Sequence, residues 1–188
     1  YAGQYGQQPI PRGGAMFKVD QFNFSNTPPT KWKQGPVRYW DKAVSKRMDA
    51  AWTVGVKMAV DFTDRVWILD VVRGRWNSAE RESRIDKTAA LDGKAVRIGL
   101  EQEPGSAGKE VAEESGKRLS LMGYSVFVDK VTGDKISRAD AFSVQVNMGN
   151  VVLLHGLWNS DFVSEYKYFP NSRFKDQVDS GSGAFSML

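Results

Sequence analysis

The sequence predicts an α/β fold: a mixed sheet of five or more strands, the first three antiparallel, with helices on both faces. Three observations carry this. Apolar residues alternate through residues 52–60 and then form short continuous runs at 66–72 and 96–100. Those are the signatures of half-buried and fully buried strands. The first three strands are joined by short connections, which favours antiparallel pairing. The later strands alternate with helix-length segments, and a helical crossover brings successive strands parallel.

Taken in order, residues 1–35 differ from the rest. They are rich in Gly and Gln, lack periodicity, and are punctuated by Pro9, Pro11, Gly13, Gly14, Pro28 and Pro29. Such a segment reads as an arm or interdomain linker, with residues 36–188 as the folded domain. Met16, Phe17, Phe22 and Phe24 are the points at which the arm would anchor on a neighbouring surface.

The first strand is residues 37–43, in which Val37, Tyr39, Asp41 and Ala43 share one face. The second is 52–60, Asp64 and Arg65 form a turn, and the third is 66–72, ended by Gly74. A helix follows over 78–91. Ser78 is its expected cap, Glu80 and Glu82 sit where the helix dipole favours acids, and Asp92-Gly93 stops it. The run 96–100 reads as a buried central strand. A helix over 108–122 ends at Gly123, and residues 124–128 give a fifth strand. The remainder reads as helix 135–148, strand 151–154, helix 161–168 and a last helix from about residue 174. The six tryptophans are mostly strand-borne, and core packing explains them better than base stacking.

Composition narrows the chemistry. The chain has 26 Lys and Arg against 22 Asp and Glu, a net charge of +4, which permits a nucleic-acid partner without requiring one. With no cysteine, disulfides, thiolate zinc sites and cysteine nucleophiles are excluded. The single histidine, His155, rules out a His-rich metal site, argues against a Ser-His-Asp triad, and is read as structural. No apolar run approaches the roughly 20 residues that span a membrane. No charged-then-apolar leader opens the chain, so a cytosolic location without membrane association is expected.

Acids stand out as candidate functional residues. Asp41 lies within a strand among aromatic and aliphatic neighbours, where a carboxylate needs a hydrogen bond, a cation or a metal. Glu101 ends another strand, and Asp176 and Asp179 share a face of the last helix. Carboxylates from separate segments suit a site for hard divalent ions. A solvated turn acid at each place, or a helix-N-terminal charge for Asp176, is the plain alternative. Asp70 also lies in a strand, and pairing with nearby Arg73 or Arg75, or an edge position, accounts for it.

Residues 101–109, Glu-Gln-Glu-Pro-Gly-Ser-Ala-Gly-Lys, suit phosphate contact at a helix start or simply a strand-to-helix turn. They are not a Walker loop, because Lys109 is followed by Glu110 rather than Ser or Thr. Lys130, Lys135 and Arg138 surround a turn at Thr132-Gly133. They form either a DNA-backbone contact or a solvated basic turn.

These segments together resemble the C-terminal nuclease domain of the large terminase subunit of tailed bacteriophages, which has an RNase H-like fold. The residues that carry the resemblance are Arg38-Tyr-Trp-Asp41-Lys-Ala, Ile68-Leu-Asp70-Val-Val-Arg-Gly-Arg75 and the run from Leu100 to Lys109. Further on they are Asp134-Lys-Ile-Ser-Arg138-Ala, Gly149-Asn-Val-Val-Leu, Phe169-Pro170 and Lys175-Asp-Gln-Val-Asp-Ser180. The resemblance implies an endonuclease that uses two Mg2+ or Mn2+ ions to cut concatemeric double-stranded viral DNA during packaging. Asp41 and Glu101 match the family's first two acids. The third lies where the family usually reads Asp-Asp. Here Lys175 replaces the first of the pair, leaving Asp176 as the expected catalytic residue and third ligand, with Asp179 as the alternative. Lys109, Lys135 and Arg138 would hold DNA. The implied partners are the terminase ATPase domain, the small terminase subunit and the portal, with the isolated domain a monomer in the host cell cytoplasm. A resolvase-type junction nuclease and a non-catalytic DNA or portal docking module are the rival readings.

Overall fold

The structure is a computed structural model and describes residues 15–43 and 52–188. A 3-10 turn, Val19–Gln21, precedes β1 (Asn23–Ser25), β2 (Gln34–Asp41), β3 (Thr53–Val60) and β4 (Val66–Gly74). Then come α1 (Ser78–Asp92), β5 (Arg97–Gln102), α2 (Ser106–Leu121), β6 (Val126–Lys130) and α3 (Lys135–Asn147). β7 (Val151–Leu154), α4 (Asn159–Tyr168) and α5 (Asp176–Ser186) complete the chain. None of the described helices is long and apolar enough to cross a membrane.

The strands form one seven-stranded sheet in the order β1-β7-β4-β3-β2-β5-β6. β2, β3 and β4 pair antiparallel as expected, and every other neighbour is parallel. Alternation along β2 separates two cores. Trp40 points to one face and packs with Ile98 and Leu100 against Ile85 and Ala89 of α1 and Leu119 of α2. Val37 and Tyr39 point to the other face, where Val54 and Val56 also pack. There they meet Phe142 of α3, Phe162 and Tyr166 of α4, and Val178 and Ala184 of α5. Full burial of an aromatic or large aliphatic side chain contributes roughly 1.5–3 kcal/mol, which sets the pleat and leaves no room for a register slip. Gly55 is required by this packing, because a Cβ there would lie 2.7 Å from the Trp40 ring.

Of the segment expected to be an arm, residues 1–14 lie outside the described residues. In the rest, Phe17 and Phe22 are buried as expected, whereas Phe24 is 47% exposed. Phe17 is 1% exposed and stacks edge-on against Tyr166 and Phe169, while Phe22 meets Phe162 and Tyr166. Asn23–Ser25 adds an edge strand to β7 that composition did not suggest, since its three residues carry no alternating pattern.

Two local expectations need correction. Asn77, not Ser78, caps α1. Its side chain accepts the Glu80 N–H at 2.9 Å, and the Glu80 carboxylate accepts the Asn77 N–H at 3.1 Å. Asn77 has the extended backbone a cap needs, and Ser78 is already helical. Asn77→Ala is expected to lower stability by about 1 kcal/mol, a fall in Tm of about 2–4 °C by calorimetry. Asp70 pairs with Arg38 at 2.8 Å rather than with Arg73 or Arg75. Arg38 is buried, also holds Asp92 through two hydrogen bonds of 2.7 and 2.8 Å, and donates to the Gly55 carbonyl. Arg38 is in register with Lys57 of β3, and Lys57 with Asp70 of β4, so the network of charge-assisted bonds runs straight across the three strands.

Candidate active site

Asp41 is the last residue of β2, and Glu101 lies in the adjacent parallel strand β5. The register pairs Trp40 with Leu100, so Asp41 and Glu101 are the next residues on each strand and leave the same face. Glu101 is itself paired with Asp129 of β6. Two residues back on that face, Tyr39 donates its hydroxyl to Asp129 at 2.7 Å. Its ring crosses Gly99, where a Cβ would lie 2.5 Å from the ring carbon. Lys42, next to Asp41, points the other way. It is buried between α1 and α2, donates to Ser115 at 2.8 Å and to the Val111 carbonyl, and lies 3.9 Å from Glu82. Burial pulls its ammonium down to about 8 despite the Glu82 charge. Lys42 thereby fixes the end of β2 from behind.

The N-terminal turn of α5 faces these strand ends. α5 has no side-chain cap of its own. Glu165 of α4 supplies one from outside. Its carboxylate accepts the Gln177 N–H at 2.7 Å, the Val178 N–H at 3.2 Å and the Gln177 side-chain amide at 2.8 Å. Such a carboxylate satisfies donors that a helix start leaves unpaired. Deeper in, Ser180 donates to the Tyr39 carbonyl at 2.7 Å and accepts the Val56 N–H at 3.1 Å, which locks α5 to β2 and β3. Asp176 and Asp179 therefore stand on a helix held at both its start and its second turn.

The charges are concentrated. Asp41 is 6% exposed, and among the described residues its carboxylate receives no hydrogen bond or ion pair. Burial first, then the charges of Glu101, Asp176 and Asp179, push its carboxyl well above the ordinary aspartate range. Burial likewise raises Glu101, Asp176 and Asp179. Two cations from α3 answer part of this charge. Lys135 pairs with Asp179, and Arg138 lies 3.4 Å from Glu101 and 3.6 Å from Asp179. Burial works against the Lys135 ammonium, yet Asp179, with Asp41 and Asp176 behind it, holds it above the ordinary lysine range. Asp176 accepts the Trp52 backbone N–H at 3.3 Å.

The structure thus brings together Asp41, Glu101, Asp176, Asp179, Lys135 and Arg138. Lys109 stands apart, exposed in the first turn of α2 with Glu113 as its neighbour at 3.8 Å. His155 stacks on Phe24 at the sheet edge, away from the acids. Among the described residues no three His, Asp or Glu side chains are gathered closely enough to hold a metal ion as they stand. The donor chemistry nevertheless fits a hard divalent cation. The set is all oxygen, and among the described residues Asp41 is unpartnered and the buried Asp179 Oδ1 accepts no hydrogen bond. Lys135 and Arg138 neutralise in part what such a cation would neutralise.

Two contributors escaped sequence reasoning. Asp129 follows the apolar positions of β6 and reads there as a strand-end acid. Glu165 had a signal: it shares a helix face with buried Phe162, three residues before it, so an acid there had to find partners.

A family model described as the terminase RNaseH-like domain matches residues 38–188. No curated protein matches the chain. Among solved structures, the large terminase nuclease from thermophilic phage G20c with bound zinc superposes with a TM-score of 0.67 at 13% identity, covering 92% of this chain and 98% of that one. The same G20c nuclease is also known with bound magnesium. The large terminase nuclease domain of Thermus phage P74-26 gives 0.64 at 11% identity, over 93% and 96%. The yeast mitochondrial Holliday junction resolvase gives 0.58 at 9% identity, over 83% and 78%.

Proposed function

We infer a DNA-cutting function from family membership: the chain belongs to the terminase RNaseH-like domain family. It is a divalent-metal-dependent endonuclease that hydrolyses phosphodiester bonds of concatemeric double-stranded viral DNA during genome packaging. The observation that supports this best is the row of Asp41 and Glu101 on neighbouring parallel strands, facing Asp176 and Asp179 at the start of α5. Asp41, Glu101 and Asp176 are the proposed ligands, with Asp179 the alternative third. Two ions of the magnesium or manganese class, when bound, supply charge stabilisation to the attacking and leaving oxygens. The relatives crystallised with zinc and magnesium agree with a divalent requirement.

The chain's own residues do the rest. The buried carboxylates keep negative charge at one point of a partly apolar surface. Lys135 and Arg138 hold that charge in check and would receive backbone phosphates, while Lys109, apart on α2, lies outside that contact. Glu165 and Ser180 hold α5 so that its acids face the strands. Tyr39 orients Asp129 beside Glu101. None of the described helices stands out for reading base edges, so little sequence preference is expected. In a packaging motor the domain would work beside an ATPase domain, a small subunit and a portal, from the host cell cytoplasm.

Supercoiled plasmid is expected to be nicked and linearised in manganese and to survive intact in EDTA. Failure to cut with manganese, together with an unmoved Tm on adding it, would show a docking module instead. A second reading, junction resolution, shares this fold with the yeast resolvase. A four-way junction cut much faster than linear duplex would favour it.

A further inference from the structure

Sheet register places a second cationic element in line with the acids, on the side away from α3. Arg73 of β4 pairs with Val54 of β3, and Val54 pairs with Asp41 of β2. Residues paired across strands project from the same face, so Arg73, Val54, Asp41, Glu101 and Asp129 form one row. At roughly 4.8 Å per strand, Arg73 stands two strand spacings from Asp41.

The Arg73 guanidinium lies 3.8 Å from the centre of the Trp52 ring. Arg75, two residues on, covers the same ring at 4.5 Å and reaches Phe174 at 5.2 Å. Arg173 stacks on Phe174 at 5.1 Å. The two rings meet edge to face at 6.1 Å. The Trp52 backbone N–H is the one that Asp176 accepts, which ties this platform to the acids.

Packing alone does not call for this arrangement. Two guanidinium groups on one indole repel each other. Among the described residues Arg73 meets one carboxylate, the exposed Asp161 at 3.4 Å, and its buried Nε has no hydrogen bond. Arg75 and Arg173 are exposed, and neither meets a carboxylate among the described residues. Stacking occupies the face of a guanidinium and leaves its N–H edge free. That edge suits phosphate oxygens in paired, charge-assisted hydrogen bonds.

We propose that Arg73, Arg75 and Arg173, held on Trp52 and Phe174, form a second phosphate-binding flank for the backbone of duplex DNA. It lies across the acids from Lys135 and Arg138, so the carboxylates sit between two cationic margins. This deepens the nuclease reading and rests on it for the choice of DNA as ligand.

The test is fluorescence anisotropy with a short labelled duplex in EDTA, over a range of salt, using the full chain. The Arg75→Glu/Arg173→Glu double variant is expected to bind about tenfold or more weakly at low salt. Its slope of log affinity against log salt should be shallower by about 2, one for each phosphate no longer held. Lys117→Glu, an exposed change on α2 behind the sheet, should bind as the parent does. A double variant with the affinity and salt slope of the parent overturns the proposal. A parent that loses affinity through this pair yet cuts no plasmid in manganese keeps the flank and removes the enzyme. A parent that cuts while the double variant binds unchanged removes the flank and keeps the enzyme.

Discussion

Asp41→Asn is expected to abolish cutting, by about 10^3-fold or more, while making the metal-free protein harder to melt. Both effects come from one fact. The Asp41 carboxyl is buried beside Glu101, Asp176 and Asp179 and has no partner among the described residues. Its folded-state value is raised above the unfolded one. Its stabilising contribution is therefore whole below the ordinary aspartate range and is lost as pH rises through the raised value. Asparagine has no proton to lose, so the variant escapes that loss. The gain should be about 1 kcal/mol or more, with Tm rising about 2–4 °C per kcal/mol, measured in EDTA by calorimetry. Manganese should raise the Tm of the parent and leave that of the variant unmoved. A variant that melts below the parent would mean the carboxylate is satisfied. One that cuts as fast would place Asp41 outside the chemistry.

Glu165→Ala should have the largest structural effect of any single change near the site. It removes the acceptor of three hydrogen bonds and leaves two backbone N–H groups of α5 buried without a partner. Charge-assisted bonds of this kind, with the penalty for orphaned donors, come to about 3 kcal/mol. Tm should fall by about 6–12 °C. Because α5 carries Asp176 and Asp179, cutting should fall even at temperatures where the variant remains folded. Glu165→Gln keeps an acceptor and should recover part of both losses. If Glu165→Ala melts with the parent, water or another group takes over the cap, and Glu165 is not what holds α5.

Amino-acid order alone dictated most of the elements and pointed to much of the candidate site. The alternation in residues 53–60, the apolar runs that became β4 and β5, and the glycines that close α1 and α2 are local signals, because backbone period and turn chemistry are local. Asp41 and Glu101 were legible for the same reason: an acid inside an apolar strand has few ways to be satisfied. The helix spacing of Asp176 and Asp179 was legible too.

Tertiary structure alone decided the pairings. Arg38 takes Asp70 and Asp92, which lie 32 and 54 positions away along the chain, because β2 runs beside β3 and under α1. Arg73, whose nearest acid in sequence is Asp70, stacks with Arg75 on Trp52 instead, one strand over. Glu165 caps a helix it does not belong to, and Asn23–Ser25 joins a sheet its own three residues could not announce. A side chain's charge, size and period are written at its own position. Its partner is set by which surfaces the whole chain must bury together, and that sum over distant residues is resolved only when the sheet and its two helical layers are assembled.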